Sequence, residues 1–310
     1  MVISNSKCSI GIVTYNSEAI IDNCLKNIAS NCATEIEVSI FDNNSSDSTK
    51  EKIKADFPKV NLIESSNNQG FAYGVNRLVE NSSSEYILIM NPDVTINKNT
   101  LDCLIETLDT NPDCVVSAPI TLDLKGNPEN NARRFPSITT QFFESIFGGE
   151  LARKLNKSEQ LKGPKGDTKY FETEWIKGAI WMIRKQLFLE IGKMREDFFL
   201  YSEETEFALR AYLKGYKFLL NSNSEAQHVG GDSDINPLLY TLLSLNKIHM
   251  FKIHSKNLQA QVIRLLLLIG STLRFFKPTS KKLRKSIIKS FSNFEKERLS
   301  VITELGGKIN

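Results

Sequence analysis

Residues 86–94 read YILIMNPDV, an almost wholly apolar run, Tyr86–Met90, that ends in the polar residues Asn91, Pro92 and Asp93. A short apolar run bounded by turn formers is typical of a buried strand. Asn91 and Asp93 then lie at the carboxyl end of that strand, where they can present two oxygens to Mg²⁺ or Mn²⁺. The pattern predicts a metal site; a plain strand-to-helix turn is the alternative.

Strand and helix patterns alternate on both sides of this strand. Further strands are predicted over residues 9–14, 37–41, 60–63 and 114–118. Helices are predicted over residues 17–29, 70–79 and 100–108, and over a segment that the capping box Ser48-Thr-Lys-Glu51 opens and Pro58 ends. This alternation implies right-handed βαβ units, and therefore an α/β fold with a mainly parallel sheet.

The carboxyl ends of three predicted strands carry polar residues, at 14–16, 42–44 and 91–93. In parallel sheets ligands bind at this edge, so these residues are expected to line one site. Residues 120–170 are rich in glycine and proline without clear periodicity, which favours a functional or mobile segment over a plain connection. Regular patterns return over residues 173–184 and over Glu203–Leu213.

Length and composition exclude several classes of protein. A chain of 310 residues suits one large α/β domain with an appendage. Its 41% apolar and 24% charged residues are those of a globular protein, not a disordered or fibrous one. The five cysteines have neither CxxC nor zinc-finger spacing, and no signal peptide is visible. We therefore expect a reduced, cytoplasmic protein.

The net charge of +3 conceals an asymmetry between two parts of the chain. Residues 237–310 hold 14 Lys and Arg against three Glu, which leaves 25 basic and 33 acidic residues for residues 1–236. Asn236-Pro237 is a helix start signal, and the chain beyond it looks helical throughout. The sequence therefore predicts a catalytic domain over residues 1–236 and a basic helical extension over residues 237–310.

Within the extension, residues 262–269 (VIRLLLLI) are too short and too interrupted by Arg264 to span a bilayer. They precede a basic stretch with apolar residues, which suits a helix on an anionic membrane surface, such as the inner face of the plasma membrane. A helical cap with a solvated basic face is the alternative. No nucleic-acid partner is expected, since no reading motif accompanies the charges. The basic residues are Arg274, Lys277, Lys281, Lys282, Arg284, Lys285 and Lys289, and the apolar residues are Phe275, Phe276, Ile287 and Ile288.

Four segments occur in order at the strand ends and at one helix start: IVTYN (12–16), FDNNSS (41–46), NNQGFAYGVN (67–76) and MNPDV (90–94). Together they resemble the family 2 inverting glycosyltransferases, in the branch that contains rhamnosyltransferases of polysaccharide assembly. The resemblance covers about residues 8–232 and implies a GT-A type nucleotide-sugar-binding fold. It also implies a nucleoside diphosphate sugar as donor.

The resemblance implies nucleotide-binding roles for Thr14, Tyr15, Glu18, Asp42, Asn68 and Gly70. Tyr15 would pack on the nucleobase and Asp42 would accept its N3–H. A core aromatic and an Asx turn with Asn44 are the respective alternatives. Glu18 would lie near the ribose, or else complement a helix dipole. Asn68 and Gly70 would shape the pocket for the phosphates and the sugar.

The same resemblance assigns Asp93 as a metal ligand, with Asn91 in place of the first Asp of the usual DxD motif. Further along, Trp175 and Gly178 would border the donor sugar and the acceptor. His228, in a segment that reads QHVGGDS, would close the donor site beside a mobile glycine-containing loop. A purely structural histidine is the alternative.

The segment FFLYSEETEFALR (198–210) is similar to the family pattern FFLYFEDVDLCLR. Its catalytic aspartate falls on Glu204, with Glu203 in the preceding acidic position. An inverting transfer needs one general base near the acceptor hydroxyl. Glutamate is one methylene longer than aspartate, so either Glu204 or Glu203 could act. The alternative is a set of acids that complement the helix N-terminus.

The function expected is a metal-assisted, inverting hexosyl transfer to a glycan or lipid-linked acceptor, with dTDP-rhamnose as the best single donor. A dehydrogenase is excluded because residues 13–18 (VTYNSE) lack GxGxxG. A sugar-nucleotide pyrophosphorylase is disfavoured because its glycine-rich basic loop is missing. A non-catalytic nucleotide-sugar or glycan-binding protein remains the alternative, because of the substitutions at Asn91 and Glu204.

Overall fold

A computed structural model describes residues 7–32, 36–161, 163, 168–230 and 236–309. The strands are β1 (Cys8–Thr14), β2 (Glu37–Asp42), β3 (Asn61–Glu64), β4 (Tyr86–Met90), β5 (Val94–Ile96), β6 (Cys114–Leu122), β7 (Ala132–Arg133), β8 (Tyr170–Thr173), β9 (Trp175–Ile176), β10 (Ile180–Arg184) and β11 (Lys217–His228). The helices are α1 (Ile21–Asn31), α2 (Thr49–Asp56), α3 (Phe71–Asn81), α4 (Thr100–Thr110), α5 (Ile138–Phe147), α6 (Gly149–Lys154), α7 (Lys185–Ile191), α8 (Glu203–Leu213), α9 (Pro237–His254), α10 (Asn257–Leu273), α11 (Pro278–Ser290) and α12 (Phe294–Glu304).

The main sheet has the strand order β3-β2-β1-β4-β10-β6-β11-β5, and β8 pairs with β11 off this path. Strands β1 to β4 pair in parallel, as do β6 and β11. Strand β10 is antiparallel to β4 and β6, and β11 is antiparallel to β5 and β8. The predicted mainly parallel α/β sheet is confirmed, and β5, β8 and β10, which the pattern left unplaced, form only antiparallel pairs.

Strand β4 is buried along its whole length because helices cover both faces of the sheet. Ile87 and Ile89 belong to the core that also contains residues of α3. Leu88 and Met90 belong to the opposite core, which contains residues of α1. Successive side chains of a strand point to opposite faces, so a strand covered on both sides reads as a continuous apolar run.

The start of α2 differs from the prediction. Ser48 makes no side-chain cap, so the predicted capping box is wrong. Asp47 takes that place, since its Oδ1 accepts from the N–H and the hydroxyl of Thr49, at 3.1 and 2.5 Å. Its Oδ2 accepts from the N–H of Glu18 at 3.0 Å, which holds residues 17–20 in a turn and delays α1 to Ile21.

Residues 120–161 are more regular than the sequence analysis expected, since they form β7, α5 and α6. Helix α5 begins with a capping box in which Ser137 and Thr140 each accept from the other's N–H. The usual signature has Glu or Gln at the fourth position, and for this reason Thr140 gave no helix signal.

The extension begins where predicted, because the Asn236 side chain accepts from the N–H of Leu238 at the start of α9. Helices α9 to α12 enclose an apolar core of their own, which also takes in Phe199. His254 Nε2 lies 2.9 Å from Glu206 Oε1 of α8, so a side-chain hydrogen bond joins the extension to the sheet-bearing part. The division into domains at residue 237 stays a prediction.

Part of the basic stretch in the extension serves packing. Arg274 donates to the Glu144 carbonyl at 2.6 Å, Lys282 pairs with Glu304 at 2.6 Å, and Ile287 is buried. None of the described helices is long and apolar enough to cross a bilayer.

Candidate active site

The carboxyl ends of β1, β2 and β4 lie side by side, so the predicted convergence of residues 14–16, 42–44 and 91–93 is confirmed. Asp42 is fully buried, and its carboxylate accepts from the N–H of Ser45 at 2.8 Å and from the Ser45 hydroxyl. Thr14 Oγ1 lies 3.5 Å from one oxygen of the same carboxylate. The local turn considered for Asp42 therefore exists, with Ser45 as donor in place of Asn44.

Tyr15 is 41% exposed, so the core-aromatic alternative is wrong and a large part of this side chain is accessible. The next residue, Asn16, has a left-handed φ of 51°, which its side chain stabilises by accepting from the N–H of Ser46 at 2.8 Å. Glu18 lies before α1 and accepts from the N–H of Ser48 at 3.3 Å. It therefore complements the start of α2, not the start of its own helix.

Asn68 and Gly70 form a rigid turn before α3. Asn68 Oδ1 accepts from the N–H of Gly70 at 3.1 Å, and the Asn43 side chain donates to the Gly70 carbonyl at 3.1 Å. Gly70 has a φ of 89°, and a Cβ there would overlap the carbonyl oxygen of Phe199. That carbonyl accepts from the N–H of Phe71 at 2.9 Å, so only glycine fits this close approach.

A second group of side chains meets beside the end of β4. The pairing of β11 with β5 brings His228 opposite Val94, and His228 Nε2 lies 3.4 Å from Asp93 Oδ2. The opposite ring nitrogen lies 3.0 Å from Glu129 Oε2. Asp93 Oδ1 is buried and has no hydrogen-bond partner among the residues that the structure describes.

Asp93 and His228 suit a divalent cation that takes its remaining ligands from a bound molecule. Asp93 offers an unpaired carboxylate oxygen, and His228 offers a ring nitrogen whose orientation Glu129 fixes from the far side. Within the residues that the structure describes, no three His, Cys, Asp or Glu side chains are grouped to hold a metal ion by themselves. An ion here would therefore need further ligands, such as phosphate oxygens.

Electrostatics favour the protonated form of His228 when no cation is present. Burial lowers the pKa of His228, but its hydrogen bonds to Asp93 and Glu129 and their negative charges raise it more, so the net shift is upward. The glycine-containing loop expected after His228 falls largely on residues 231–235, which lie outside the described residues.

Glu129 is the residue of this group that the sequence analysis missed. It follows β6 in a turn where its N–H donates to the Thr121 carbonyl at 2.8 Å. The only signal available was an acidic residue in a segment without periodicity. That signal does not tell which distant side chain the turn will approach.

The predicted carboxylates Glu203 and Glu204 begin α8 after a sharp turn in which Tyr201 and Ser202 both have left-handed φ values. Glu203 is only 2% exposed, whereas Glu204 is partly exposed. A Cβ built on Gly178 would lie 3.6 Å from Glu204 Oε1, so Glu204 faces the segment expected to border the acceptor. The Oε2 atoms of both carboxyls are buried, and neither has a hydrogen-bond partner within the described part of the chain.

Burial sets the protonation of this pair. Loss of hydration and the neighbouring Glu204 charge raise the pKa of Glu203 well above its ordinary value. Burial also raises the pKa of Glu204, while backbone hydrogen bonds, one of them from Gly178, oppose that rise. Burial therefore opposes a negative charge on both carboxyls, and the almost fully buried Glu203 is the less favourable place for that charge than the partly exposed Glu204.

The two residues before β10 connect the Asp93–His228 group with the Glu203–Glu204 pair. The Ala179 carbonyl accepts from the N–H of Asn91 at 2.9 Å, and the preceding residue, Gly178, faces Glu204. Trp175, the other predicted pocket residue, lies on β9 and donates from its indole N–H to the Arg134 carbonyl at 2.9 Å. One short segment, residues 178–179, therefore contacts both the candidate base and the strand end that carries the candidate cation site.

This sheet, with polar groups converging at its carboxyl edge, defines a protein of the GT-A class, and comparisons with solved structures agree. The structure of GalNAc-T7 with UDP, GalNAc and Mn²⁺ superposes with a TM-score of 0.60 at 13% identity, over 97% of this chain and 58% of that one. The Pyrobaculum calidifontis mannosyltransferase PcManGT with GDP-Man and Mn²⁺ gives 0.56 at 12% identity, over 96% and 86%.

The chain belongs to glycosyl transferase family 2, whose sequence model matches residues 9–189. It is similar to N-acetylglucosaminyl-diphospho-decaprenol L-rhamnosyltransferase of Mycobacterium tuberculosis, at 22% identity over 70% of this chain and 74% of that protein. It is also similar to the low-salt glycan biosynthesis hexosyltransferase Agl10 of Haloferax volcanii, at 31% identity over 66% of this chain and 61% of that protein. This protein is therefore a glycosyltransferase that uses a nucleotide-linked sugar donor.

The contact of Gly70 with Phe199 can be tested by adding one methyl group. Gly70→Ala should lower the free energy of unfolding by about 3 kcal/mol or more, because the left-handed φ and the collision with backbone both oppose it. Gly126→Ala is the matched control, since Gly126 has a φ of 78° but nothing within 4 Å of its Cβ. It should cost only about 1 kcal/mol. Urea unfolding measures both, and equal losses would contradict the contact.

Proposed function

We propose that this glycosyltransferase inverts the configuration of the transferred sugar, with Glu204 as the general base and a divalent ion at Asp93 and His228. One observation carries the proposal: Gly178, which faces Glu204, directly precedes Ala179, whose carbonyl accepts from the N–H of Asn91. An inverting displacement needs its base opposite the departing diphosphate, so the sugar would lie between Glu204 and the cation site.

The nucleotide half of the site would bind the donor through the ends of β1 and β2. Tyr15 offers an exposed ring for the nucleobase, and Asp42 offers a carboxylate that the Ser45 hydrogen bonds hold in place. Thr14 lies beside that carboxylate, and Glu18 fixes the loop before α2. Asn68 and Gly70 shape the turn expected to lie near the diphosphate and sugar.

The cation would be Mg²⁺ or Mn²⁺, held by Asp93 and His228 together with the donor diphosphate, and Asn91 would add a neutral oxygen. When bound, the ion would offset negative charge on the leaving phosphate. Glu129 would keep the His228 ring turned toward Asp93. Mn²⁺ accompanies the bound nucleotide or sugar nucleotide in the structures of GalNAc-T7 and PcManGT, which supports this choice of cofactor.

At the other side of the sugar, Glu204 would take the proton of the acceptor hydroxyl. Glu203 would help by holding its own proton, since a protonated neighbour leaves Glu204 as the only negative charge in the pair. Trp175 and Gly178 would border the acceptor. The mycobacterial relative's name supports rhamnose as the transferred sugar and a lipid-linked acceptor, so dTDP-rhamnose would be the first donor to test.

The extension would hold the enzyme at an anionic membrane. Lys277, Lys281, Lys285 and Lys289 are exposed at intervals of four, which places them along one face of α11. Phe276, in the turn before this helix, is 97% exposed, and Ile288 is 57% exposed. Exposed cations beside exposed apolar side chains are typical of helices on an anionic bilayer.

The general base can be tested by replacing each carboxyl with its amide. Glu204→Gln should lower kcat about 10²- to 10⁴-fold, because it removes the proton acceptor. Donor affinity should change little, since the group acts on the acceptor side. The assay uses the donor that a thermal-shift screen of nucleoside diphosphate sugars identifies, and it follows release of the nucleoside diphosphate.

The pH dependence is a second readout for Glu204. A base must be ionised, and burial raises the pKa of Glu204. The ascending limb of kcat/KM in the parent should therefore lie above the ordinary glutamate pKa of about 4.3, and it should be lost in Glu204→Gln. Glu203→Gln is the control and should keep most activity, because an uncharged amide suits a position that is only 2% exposed. An inactive Glu203→Gln beside an active Glu204→Gln would reverse the assignment.

The cation site can be tested by direct binding. Asp93→Ala should abolish Mn²⁺-dependent binding of the donor nucleotide in titration calorimetry, because it removes the unpaired carboxylate oxygen. Asp123→Ala is a matched control, since Asp123 lies in an exposed turn with Asn127. Nucleotide binding by the parent that is equally tight in EDTA and in Mn²⁺ would remove the cation from the mechanism.

Membrane attachment can be tested by neutralising the α11 lysines. Changing Lys277, Lys281, Lys285 and Lys289 to Gln should weaken binding to vesicles with anionic lipid by up to about 10³-fold, at about 1 kcal/mol per charge. The same change at four exposed lysines elsewhere, Lys59, Lys98, Lys125 and Lys214, is the control and should have a smaller effect. Equal losses in the two variants, or no vesicle binding by the parent, would leave the extension as a helical cap.

A further inference from the structure

The residues after α12 return to the nucleotide end of the sheet. Gly307 forms a parallel β-bridge with Asn68, and the N–H of Lys308 donates to the Asn68 carbonyl at 2.8 Å. Asn68 is at the same time the residue whose side chain holds the N–H of Gly70. Residues 305–309, here called the return segment, therefore add a short strand to the turn expected to bind the donor.

The return segment also borders the ring of Tyr15. Gly306 has a left-handed φ of 77°, and a Cβ built on it would lie 3.0 Å from the Tyr15 hydroxyl oxygen. The segment thus passes the hydroxyl edge of the ring, while 41% of Tyr15 stays exposed. It approaches so closely because residue 306 has no side chain.

The third contact of the return segment is with Phe199. A Cβ on Gly307 would overlap the Phe199 ring and would lie 2.8 Å from Ile302 Cγ2. Phe199 is 4% exposed, and its carbonyl holds the start of α3. The ring has little room to retreat, so residue 307 also has to be small.

We propose that the return segment is a wall of the donor nucleotide site and sets the affinity for the nucleobase end of the donor. This inference rests on the proposed function, because it assumes that Tyr15 and Asn68 contact the donor nucleotide. The segment limits the space beside the ring of Tyr15, and its hydrogen bond fixes the Asn68 backbone. The helical extension would then take part in donor binding, since α12 leads directly into this wall.

Packed side chains and backbone hydrogen bonds connect the return segment to the core of the extension. Val301 and Ile302 of α12 are buried in the core of the extension together with Phe199. The N–H groups of Gly306 and Gly307 donate to the carbonyls of Thr303 and Ile302, at 3.0 Å each. The position of the return segment is therefore fixed by the last turn of α12.

The test is nucleotide binding by full-length chains that carry a displaced return segment. Gly307→Val should weaken binding of UDP or dTDP, whichever the parent binds more tightly in Mn²⁺, by at least tenfold in titration calorimetry. Gly149→Ala is the matched control, because nothing lies within 4 Å of a Cβ there, and its affinity should equal the parent's. The melting temperature of each variant reports whether the fold is intact.

A double-mutant cycle locates the effect at Tyr15. Gly306→Ala should also weaken binding, because its methyl group crowds the Tyr15 hydroxyl. Tyr15→Phe removes that hydroxyl, so the loss caused by Gly306→Ala should be smaller in a chain that already carries Tyr15→Phe. A loss of the same size in both backgrounds would show that the segment does not act through the ring.

The outcomes separate the two proposals. If the parent binds neither UDP nor dTDP nor any other nucleoside diphosphate, the proposed function fails and the inference fails with it. If the parent binds and a folded Gly307→Val binds equally well, the inference alone is overturned. Should Gly307→Val not fold, hydrogen exchange in the parent decides. Nucleotide should slow exchange in residues 305–309, and unchanged exchange would overturn the proposal.

Discussion

The arrangement of the site depends on one close approach between two backbone segments, at Gly70 and Phe199. The Phe199 carbonyl takes the first N–H of α3, and no side chain fits between the two segments. This contact fixes the turn at Asn68 relative to the segment that enters α8. Because Glu204 follows Phe199 by five residues, the donor turn and the candidate base share one rigid junction. The Phe199 ring extends the same junction to the helical extension.

The carboxyl pair at the start of α8 lowers the stability of the fold. A buried acid and a partly exposed one follow two residues with left-handed φ, and the Oε2 atom of each is buried without a partner among the described residues. Burial of polar groups without partners opposes folding, and so does this backbone conformation. Such strain is typical of sites where function fixes the geometry. At Glu206, two residues further on, the carboxylate is instead fully paired with Arg210 and His254, as a structural acid would be.

The parts of the fold that were predictable from sequence are those that local pattern determines. Tyr86–Met90 is apolar because helices cover both faces, and the polar edge follows from where such strands end. The capping box at Ser48 failed because Asp47, one residue earlier, offers a stronger acceptor. Glu129 and the return segment gave no signal, since their roles depend on long-range packing: Glu129 reaches His228 across 99 residues, and Gly307 approaches Phe199 from the last helix.

The family match covers only some of the candidate site residues. Residues 9–189 contain the nucleobase loop, Asp93 and the Gly178–Ala179 segment, whereas both α8 carboxyls, His228 and the extension lie beyond it. The candidate base and the histidine of the candidate cation site therefore come from the part of the chain beyond the family match, whereas Asp93 and Gly178 lie within it. Glu204 is one methylene longer than the aspartate of that pattern, so its carboxylate needs about 1 Å more room from the backbone opposite. Gly178 lies opposite and has no side chain to crowd it, and this pairing of a long acid with a glycine makes the substitution compatible with the same chemistry.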